Sequence, residues 1–256
     1  QNYLNQSTME KIKKLFLLMA ILIPTIAFTA CGDDDKEEPN VPDQTLKVGQ
    51  TYTIPANGSW VSDNDLIASV GNNTVEGVRV GDVAIRSGEK SFNVIVKPTI
   101  TLFNDPSLQF GESPSSIKRF MNKYGYEIID ESATNILYGS KQNGAVVGYG
   151  YTFENSTLKM SMILAPHSIA SAERFADYLN QRFVPVTIED DYIGLISPDK
   201  KVLVVSMVKI LSGDIMYVIS YAPNTISTDV RSDNYDTIVK EMINATPGEL
   251  VKDGMK

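Results

Sequence analysis

A recurring order of one helical pattern and four strand-like runs is the feature that most limits the folds open to this 256-residue chain. Residues 113–125 have helical periodicity, and residues 126–165 hold four runs with strand character. Both patterns recur over residues 168–221. An antiparallel meander with one helix-covered face accommodates this order. We therefore expect an α+β fold class, in which residues 99–256 form a two-repeat (α-β4)x2 antiparallel-sheet domain.

Both helical patterns have start signals. Ser113 is the predicted N-cap of the first helix, with Pro114 at its first position, and Ser168 is the predicted N-cap of the second. Each helix has an apolar stripe suited to packing on a sheet. The stripes are Ile117, Phe120, Met121 and Tyr124 in the first helix, and Ala172, Phe175, Ala176 and Leu179 in the second. In element order the domain resembles TATA-binding-protein-like and β-lactamase-inhibitor-protein-like folds, a likeness of topology that implies no function.

Residues 45–98 favour a separate all-β module. Residues 46–54 alternate apolar and polar side chains, and Asn57-Gly58 is a strong turn signal. Trp60 before Ser-Asp-Asn, the run Ile-Ala-Ser-Val at 67–70 and the closing Phe-Asn-Val-Ile-Val at 92–96 resemble a shortened bacterial Ig-like domain of the group-2 type. The resemblance implies a small sandwich that serves as a spacer, with Trp60 in its core.

The start of the chain indicates export. From Met9, three lysines precede an uncharged, mainly apolar run over residues 15–28, which is too short to cross a bilayer. Thr29 and Ala30 then precede Cys31, the only cysteine. This order resembles a bacterial lipoprotein signal, which implies that residues 1–30 are removed and that Cys31 is lipidated. The alternatives are a transmembrane anchor or a plain secretory signal.

Residues 31–44 are predicted to be a solvated linker. The stretch after Cys31 is acidic and contains prolines, so it cannot bury apolar surface. It resembles the acidic tract of surface-exposed Bacteroidetes lipoproteins. That resemblance implies a lipid-anchored protein of the outer membrane that faces the cell exterior, whereas the alternative is a spacer on a lipoprotein facing the periplasm.

Charge and composition exclude several classes of function. The chain has 23 Lys and Arg against 31 Asp and Glu, a net charge of −8, and residues 1–30 contribute +2 of that charge. The remaining chain therefore carries −10, which argues against a nucleic-acid partner. With one cysteine and one histidine, neither a disulfide framework nor a Cys/His zinc cage is expected within one chain.

Motifs for catalysis and cofactors are absent from the sequence. His167 is the only histidine, and no Gly-x-Ser-x-Gly elbow exists to pair with it. Neither a phosphate-binding loop nor a dinucleotide fingerprint is present. Aspartates such as Asp63 and Asp190 do not fit the calcium-loop pattern. We therefore predict no catalytic residue, no metal site, no cofactor and no enzymatic activity.

Four residues are candidate ligand contacts. Glu131 and Asp190 lie in acidic turns at equivalent places of the two repeats, where one shared acidic site is conceivable, although solvated turns are the simpler interpretation. Tyr149 and Tyr151 fall on one strand face, where exposed aromatic rings can stack on sugars or anchor a partner. Half-buried strand aromatics are the simpler interpretation. Asp236-Thr237-Ile238 also resembles an O-glycosylation site of Bacteroidetes exported proteins.

Three functions follow in order of preference. The first is a membrane-anchored lipoprotein that presents a non-catalytic binding module at the cell surface, with a protein or glycan ligand. The second is a glycan- or peptide-binding accessory protein of a nutrient-uptake system. The third is a hydrolase that uses the acidic loops.

Overall fold

The computed structural model describes residues 41–142, 145–211, 213–225 and 242. Seven short strands come first along the chain: β1 Gln44–Lys47, β2 Thr51–Thr53, β3 Val61–Ser62, β4 Ala68–Gly71, β5 Thr74–Gly77, β6 Gly81–Ser87 and β7 Lys90–Lys97. They form a four-stranded sheet in the order β1-β7-β6-β3 and a three-stranded sheet in the order β2-β5-β4.

A small apolar core belongs to these two sheets. The buried residues of β6 and β7 alternate with exposed ones, as expected for strands with one covered face. Trp60 is buried beside Phe92, with 5.5 Å between ring centroids, and its indole Nε1 donates a hydrogen bond to Ala56 O at 3.2 Å. Trp60 is therefore a core residue, as its sequence context predicted.

Over the described residues between 98 and 225, two helices, one 3-10 turn and eight further strands follow. The helices are α1 Pro114–Asn122 and α2 Ala172–Asn180, and the 3-10 turn is His167–Ile169. The strands are β8 Glu127–Glu131, β9 Asn135–Gln142, β10 Ala145–Glu154, β11 Thr157–Pro166, β12 Val184–Ile188, β13 Tyr192–Ile196, β14 Val202–Leu211 and β15 Asp214–Pro223.

These eight strands form one antiparallel sheet. Its order is β12-β13-β14-β15-β11-β10-β9-β8, so β11 and β15 meet at the centre and β8 and β12 form the two edges. The central pair is joined from Ser161 opposite Tyr221 to Pro166 opposite Met216. The β8-β9 and β12-β13 hairpins, which occupy matching positions in the two halves, consequently lie at opposite edges of the sheet.

The fold class predicted from the sequence, α+β with a two-repeat (α-β4)x2 domain, is wrong. The structure is mostly β, with 52% strand and 12% helix, and large antiparallel sheets dominate it. The physical reason is length, because each helix has nine residues whereas the four central strands have ten each. Helical periodicity located two short elements but did not indicate how little of the body they form.

The helix starts follow capping chemistry, with one correction. Ser113 caps α1 as predicted, since its hydroxyl accepts a hydrogen bond from Ser116 N at 3.4 Å. The predicted cap of the second helix, Ser168, lies instead in the 3-10 turn. Ser171 caps α2 by accepting from Arg174 N at 3.3 Å. The intervening turn displaces the helix start by three residues.

Both faces of the large sheet are apolar. One face packs on α1 and α2 and contains most of the buried tyrosines. The other face is rich in methionine, with Met160, Met162, Met207 and Met216 buried together, and Met242 belongs to the same cluster. Met242 is the only residue after position 225 that the structure describes. The sheet therefore has side chains buried on both sides.

The large sheet domain and the small sheets are in direct contact. Val80 N donates to Gln181 O at 2.8 Å, Arg79 Nε donates to Phe183 O at 3.2 Å, and Asn64 Nδ2 donates to Pro198 O at 2.9 Å. The side chain of Gln181 also accepts from Thr99 N at 2.9 Å. These bonds join the segment after α2 and the turn between β13 and β14 to the small sheets, and they join Gln181 to the connecting chain.

Several sequence predictions lie outside the described residues. They are the export signal, the lipidation site Cys31, most of the acidic linker and the Asp236-Thr237-Ile238 tripeptide. Among the residues that the structure describes, no helix is long and apolar enough to cross a membrane.

Candidate functional site

The loop between β7 and α1 brings polar and aromatic side chains together on the helix-covered side of the large sheet. Leu102 and Phe103 are buried at its start, and Ser107 is buried further on. Ser161 Oγ donates to Ser107 O at 2.6 Å, and this hydrogen bond attaches the loop to β11. Between these anchors, Asn104 and Asp105 are exposed. We call Asn104, Asp105 and the side chains that contact them the 104–105 site.

Asn104 is held by three hydrogen bonds. Its backbone N donates to Gln142 Oε1 at 2.8 Å, its carbonyl oxygen accepts from Tyr149 Oη at 3.1 Å, and its Nδ2 donates to Tyr126 Oη. Gln142 Nε2 in turn donates to Tyr149 Oη at 2.7 Å. Among the described residues none donates to the side-chain oxygen Oδ1 of Asn104, which can accept a hydrogen bond from a ligand.

Asp105 lies over a buried arginine. Its side chain is 66% exposed, whereas that of Arg182 is 6% exposed. Tyr178 Oη donates to Asp105 Oδ1 at 3.2 Å, and Arg182 Nε is 3.6 Å from the same oxygen. The latter distance makes an ion pair but is too long for a hydrogen bond, and Nε has no hydrogen-bond partner among the described residues. The solvent-exposed carboxylate of Asp105 can therefore accept hydrogen bonds from a ligand.

The guanidinium of Arg182 is held mainly by backbone carbonyl groups of the loop and of α2. Its Nη1 donates to Ile100 O at 3.1 Å and to Tyr178 O at 3.2 Å. The guanidinium carbon lies 3.9 Å from the centroid of the Tyr178 ring, within the range of a cation–π contact. The loop and α2 thus fix the position of the guanidinium, and little of it is accessible to solvent.

Three tyrosines form a column from the surface into this site. The Tyr124 and Tyr126 centroids are 5.7 Å apart with an interplanar angle of 23°, and the Tyr126 and Tyr149 centroids are 5.1 Å apart at 9°. Tyr149 and Tyr126 are buried, whereas Tyr124 is 55% exposed. Phe120 contacts the Tyr124 ring at a centroid distance of 5.3 Å. Stacking therefore orders an exposed ring.

Local backbone structure places Tyr124 at the surface. α1 ends at Asn122, and Tyr124 N donates to Met121 O at 3.0 Å in the turn that follows. Gly125 has a φ of +68°, the left-handed conformation in which glycine has no steric cost. This reversal sends the chain from the helix directly into β8.

Burial keeps the phenols of this site neutral. It raises the pKa of Tyr149 far above its ordinary value, although the hydrogen bond from Gln142 partly opposes that shift. Burial also raises the pKa of Tyr178, and the negative charge of Asp105 adds to the increase. Neutral phenols donate and accept hydrogen bonds but are poor bases and nucleophiles at physiological pH. The site is therefore suited to holding a polar ligand rather than to proton transfer.

The two tyrosines considered as candidate ligand contacts, Tyr149 and Tyr151, do not lie on an exposed face. Tyr149 and Tyr151 are fully buried. Their face is covered by the helices and by the loop of the 104–105 site, where Tyr151 Oη accepts from Ser107 N at 3.1 Å. Strand alternation identified their common face correctly but could not show that other elements cover it. The exposed ring is Tyr124.

The two acidic residues predicted to share a site are far apart. Glu131 ends the edge strand β8 and forms an ion pair with Lys118 of α1. Asp190 lies in the turn between β12 and β13, at the opposite edge. Six strands separate β8 from β12, about 30 Å along the sheet at the usual strand spacing. The antiparallel order around the central pair therefore separates these turns instead of joining them.

The remaining sequence candidates have structural contacts. His167 lies in the 3-10 turn with its ring 5.1 Å from that of Tyr217. Asp63 forms an ion pair with Arg86 at 2.8 Å. Within the part of the chain that the structure describes, no group of three metal-binding side chains is close enough to hold an ion.

Sequence reasoning missed Asn104, Asp105, Gln142 and Arg182. The one local signal was the turn-forming sequence Asn104-Asp105-Pro106, which follows the apolar pair Leu102-Phe103. No protein-family model, curated protein or solved structure matches this chain.

Proposed function

We propose that this chain is an exported, lipid-anchored protein that presents a non-catalytic binding module at the outer surface of the cell. The observation that carries the proposal is the position of Cys31. It is the only cysteine, and it directly follows an uncharged apolar run and precedes an acidic tract. Acyl chains on that residue would anchor the protein to the membrane.

The charge distribution fits this arrangement. The chain after residue 30 carries −10, so anionic lipids would not attract the body and the lipid would be its main membrane contact. Nucleic acid is a poor partner for the same reason. Among the described surfaces, the exposed pair Asn104 and Asp105 beside Tyr124 is the best binding face.

Metabolic labelling with a palmitate analogue tests the anchor. We expect label on the wild-type protein and none on Cys31→Ser in a bacterial host that processes lipoproteins. Thr29→Ser keeps a small residue two positions before the cysteine and is the matched control, which should still be labelled. Equal labelling of the wild type and Cys31→Ser would refute lipidation at this residue.

Protease treatment of intact cells tests the orientation. A surface-exposed protein is digested without permeabilisation, whereas a protein that faces the periplasm is digested only after it. Protection in intact cells would contradict surface display while leaving the anchor itself intact.

A glycan- or peptide-binding role in nutrient uptake is the second candidate, favoured by the exposed Tyr124 ring next to polar side chains. The acidic loops give no support to a hydrolase. The paired carboxyl groups of a glycosidase must lie within about 10 Å of each other, whereas Glu131 and Asp190 belong to opposite edges of the sheet.

A further inference from the structure

We infer that the 104–105 site binds a carbohydrate, with a sugar ring stacked on Tyr124 and its hydroxyl groups bound by Asn104 and Asp105. This inference rests on the proposed binding function and adds the class of ligand and the residues that recognise it.

The first argument is the ordered aromatic surface. Tyr126 covers one side of the Tyr124 ring, at 5.7 Å and 23°, while 55% of the Tyr124 side chain stays in solvent. Because Tyr126 itself stacks on the fully buried Tyr149, the column is anchored in the core. A ring that is already fixed loses little conformational freedom on binding. The apolar face of a sugar ring is a flat partner suited to such a surface.

The second argument is the presence of hydrogen-bond acceptors near that ring. Tyr126 contacts both Tyr124, by stacking, and Asn104, by a hydrogen bond, so the exposed ring and the exposed amide lie within the span of one or two sugar units. No residue that the structure describes donates to Asn104 Oδ1, and the Asp105 side chain is two-thirds exposed. A carboxylate and an amide oxygen on neighbouring residues can accept hydrogen bonds from adjacent hydroxyl groups.

The third argument is the fixed position of those acceptors. The Asn104 backbone is bonded at both its N and its O, to Gln142 and Tyr149 respectively. Asp105 is oriented by Tyr178 Oη and by the charge of Arg182. Binding sites that are formed before the ligand arrives avoid the ordering cost of a mobile loop.

Charge favours a neutral ligand over an anionic one. The cation that contacts Asp105, Arg182, is 6% exposed, and the carboxylate lies in front of it. A phosphate or a carboxylate would meet Asp105 first and be repelled. A sugar has hydroxyl donors that a carboxylate binds well and needs no compensating charge. An apolar peptide anchor is less suited, because polar side chains border the single exposed ring.

The test uses the purified full-length protein in detergent on an array of plant, microbial and animal oligosaccharides, with a peptide array in parallel. We expect retention of at least one neutral oligosaccharide. Titration calorimetry with that oligosaccharide should show binding weakened about tenfold or more by Tyr124→Ala and changed less than about threefold by Tyr124→Phe, which keeps the ring. Asp105→Asn keeps the acceptor for Tyr178 and should weaken binding severalfold.

Ile128→Ala is the matched control, since it also removes an exposed apolar side chain from the same half of the sheet. Circular dichroism and thermal unfolding would show that each variant is folded. Absence of any bound oligosaccharide, retention of peptides alone, or binding that survives Tyr124→Ala would each overturn the inference. These results are independent of Cys31 labelling, so failure here is distinguishable from failure of the lipid anchor.

Discussion

Six of the largest fully buried side chains are tyrosines, and their hydroxyl groups differ in environment. Tyr149 Oη donates to Asn104 O and accepts from Gln142, whereas Tyr138 Oη has no hydrogen-bond partner among the described residues. Burying a hydroxyl without a partner costs free energy, while a bonded hydroxyl recovers that cost. Residues of one type on one sheet face therefore contribute differently to stability.

Replacing these two tyrosines by phenylalanine should change the free energy of unfolding by different amounts. Tyr149→Phe removes two hydrogen bonds and leaves Asn104 O without its donor, so we expect the free energy of unfolding to fall by about 1–2 kcal/mol. Tyr138→Phe removes a hydroxyl that has no partner, so the free energy should stay within about 0.5 kcal/mol of wild type or rise. Urea unfolding measures both. A loss for Tyr138→Phe as large as that for Tyr149→Phe would contradict the assignment.

The buried tyrosines should make the protein less stable at alkaline pH. Burial raises the pKa of Tyr138 from 10.0 to about 12, and the charge of Glu131 adds to the shift. The folded state thus holds its proton more tightly than the unfolded state. The resulting stabilisation is complete below pH 10 and is lost as the pH rises through about 12. Phenolate absorbance and circular dichroism should consequently change together in this range. Full ionisation of the tyrosines with the fold intact would contradict the prediction.

Both edge strands of the large sheet carry features that block further strand pairing. β8 holds Glu127, Asp130 and Glu131 and has an irregular register between Ile128 and Asp130. β12 contains Pro185, with a register shift between Pro185 and Thr187. Charges, proline and bulges interrupt the regular hydrogen-bonding edge that a foreign strand would need. Strand addition is therefore a poor mode of partner binding for this sheet.

The cap of α2 can be tested by two serines three residues apart. Ser171→Ala removes the side-chain acceptor of Arg174 N and should lower the free energy of unfolding by about 1 kcal/mol. Ser168→Ala, in the exposed part of the preceding 3-10 turn, is the matched control and should change it by less than about 0.5 kcal/mol. Denaturant unfolding compares the two. The reverse order would restore Ser168 as the functional cap.

Across the whole molecule, the small sheets are fixed to the large one by the segment after α2. Gln181 is central, because its backbone oxygen accepts from Val80 N and its side chain binds the connecting chain at Thr99 and Ile100. Arg79 adds a bond to Phe183 O, and desolvation by burial lowers the pKa of its guanidinium. The contacts indicate that the small sheets hold a defined orientation to the large sheet.

Weakening this contact should loosen the molecule without unfolding it. The double variant Arg79→Ala/Gln181→Ala removes side-chain bonds across the contact and leaves both cores intact. We expect a larger radius of gyration in small-angle scattering and faster proteolysis near residues 98–101. Arg86→Ala, which breaks a surface ion pair with Asp63 within the small sheets, is the control and should match wild type. Unchanged scattering of the double variant would show that other contacts hold the two parts together.

Some local features, such as a helix cap and a core residue, were predictable from the sequence. The long-range contacts between elements were not. Ser113 as a cap and Trp60 as a core residue followed from nearest neighbours in sequence. The 104–105 site combines residues from a loop, from β9 and β10, and from α2 and the segment after it, with sequence separations up to about 80 residues. No periodicity relates Asp105 to Arg182. Contacts of that range depend on the sheet that forms between them.

The sequence by itself determined where short helices and alternating strands occur, because periodicity and capping depend on residues a few positions apart. It also determined the acidic charge and the lone Cys31 that carries the predicted anchor. Tertiary structure alone decided the mostly-β class, the burial of Tyr149 and Tyr151, and the separation of Glu131 from Asp190. The strand order depends on long-range hydrogen bonds and on burial of both sheet faces. This order decides which exposed residues become neighbours. Here Tyr126 contacts both Tyr124 and Asn104 and so brings these two exposed residues near each other.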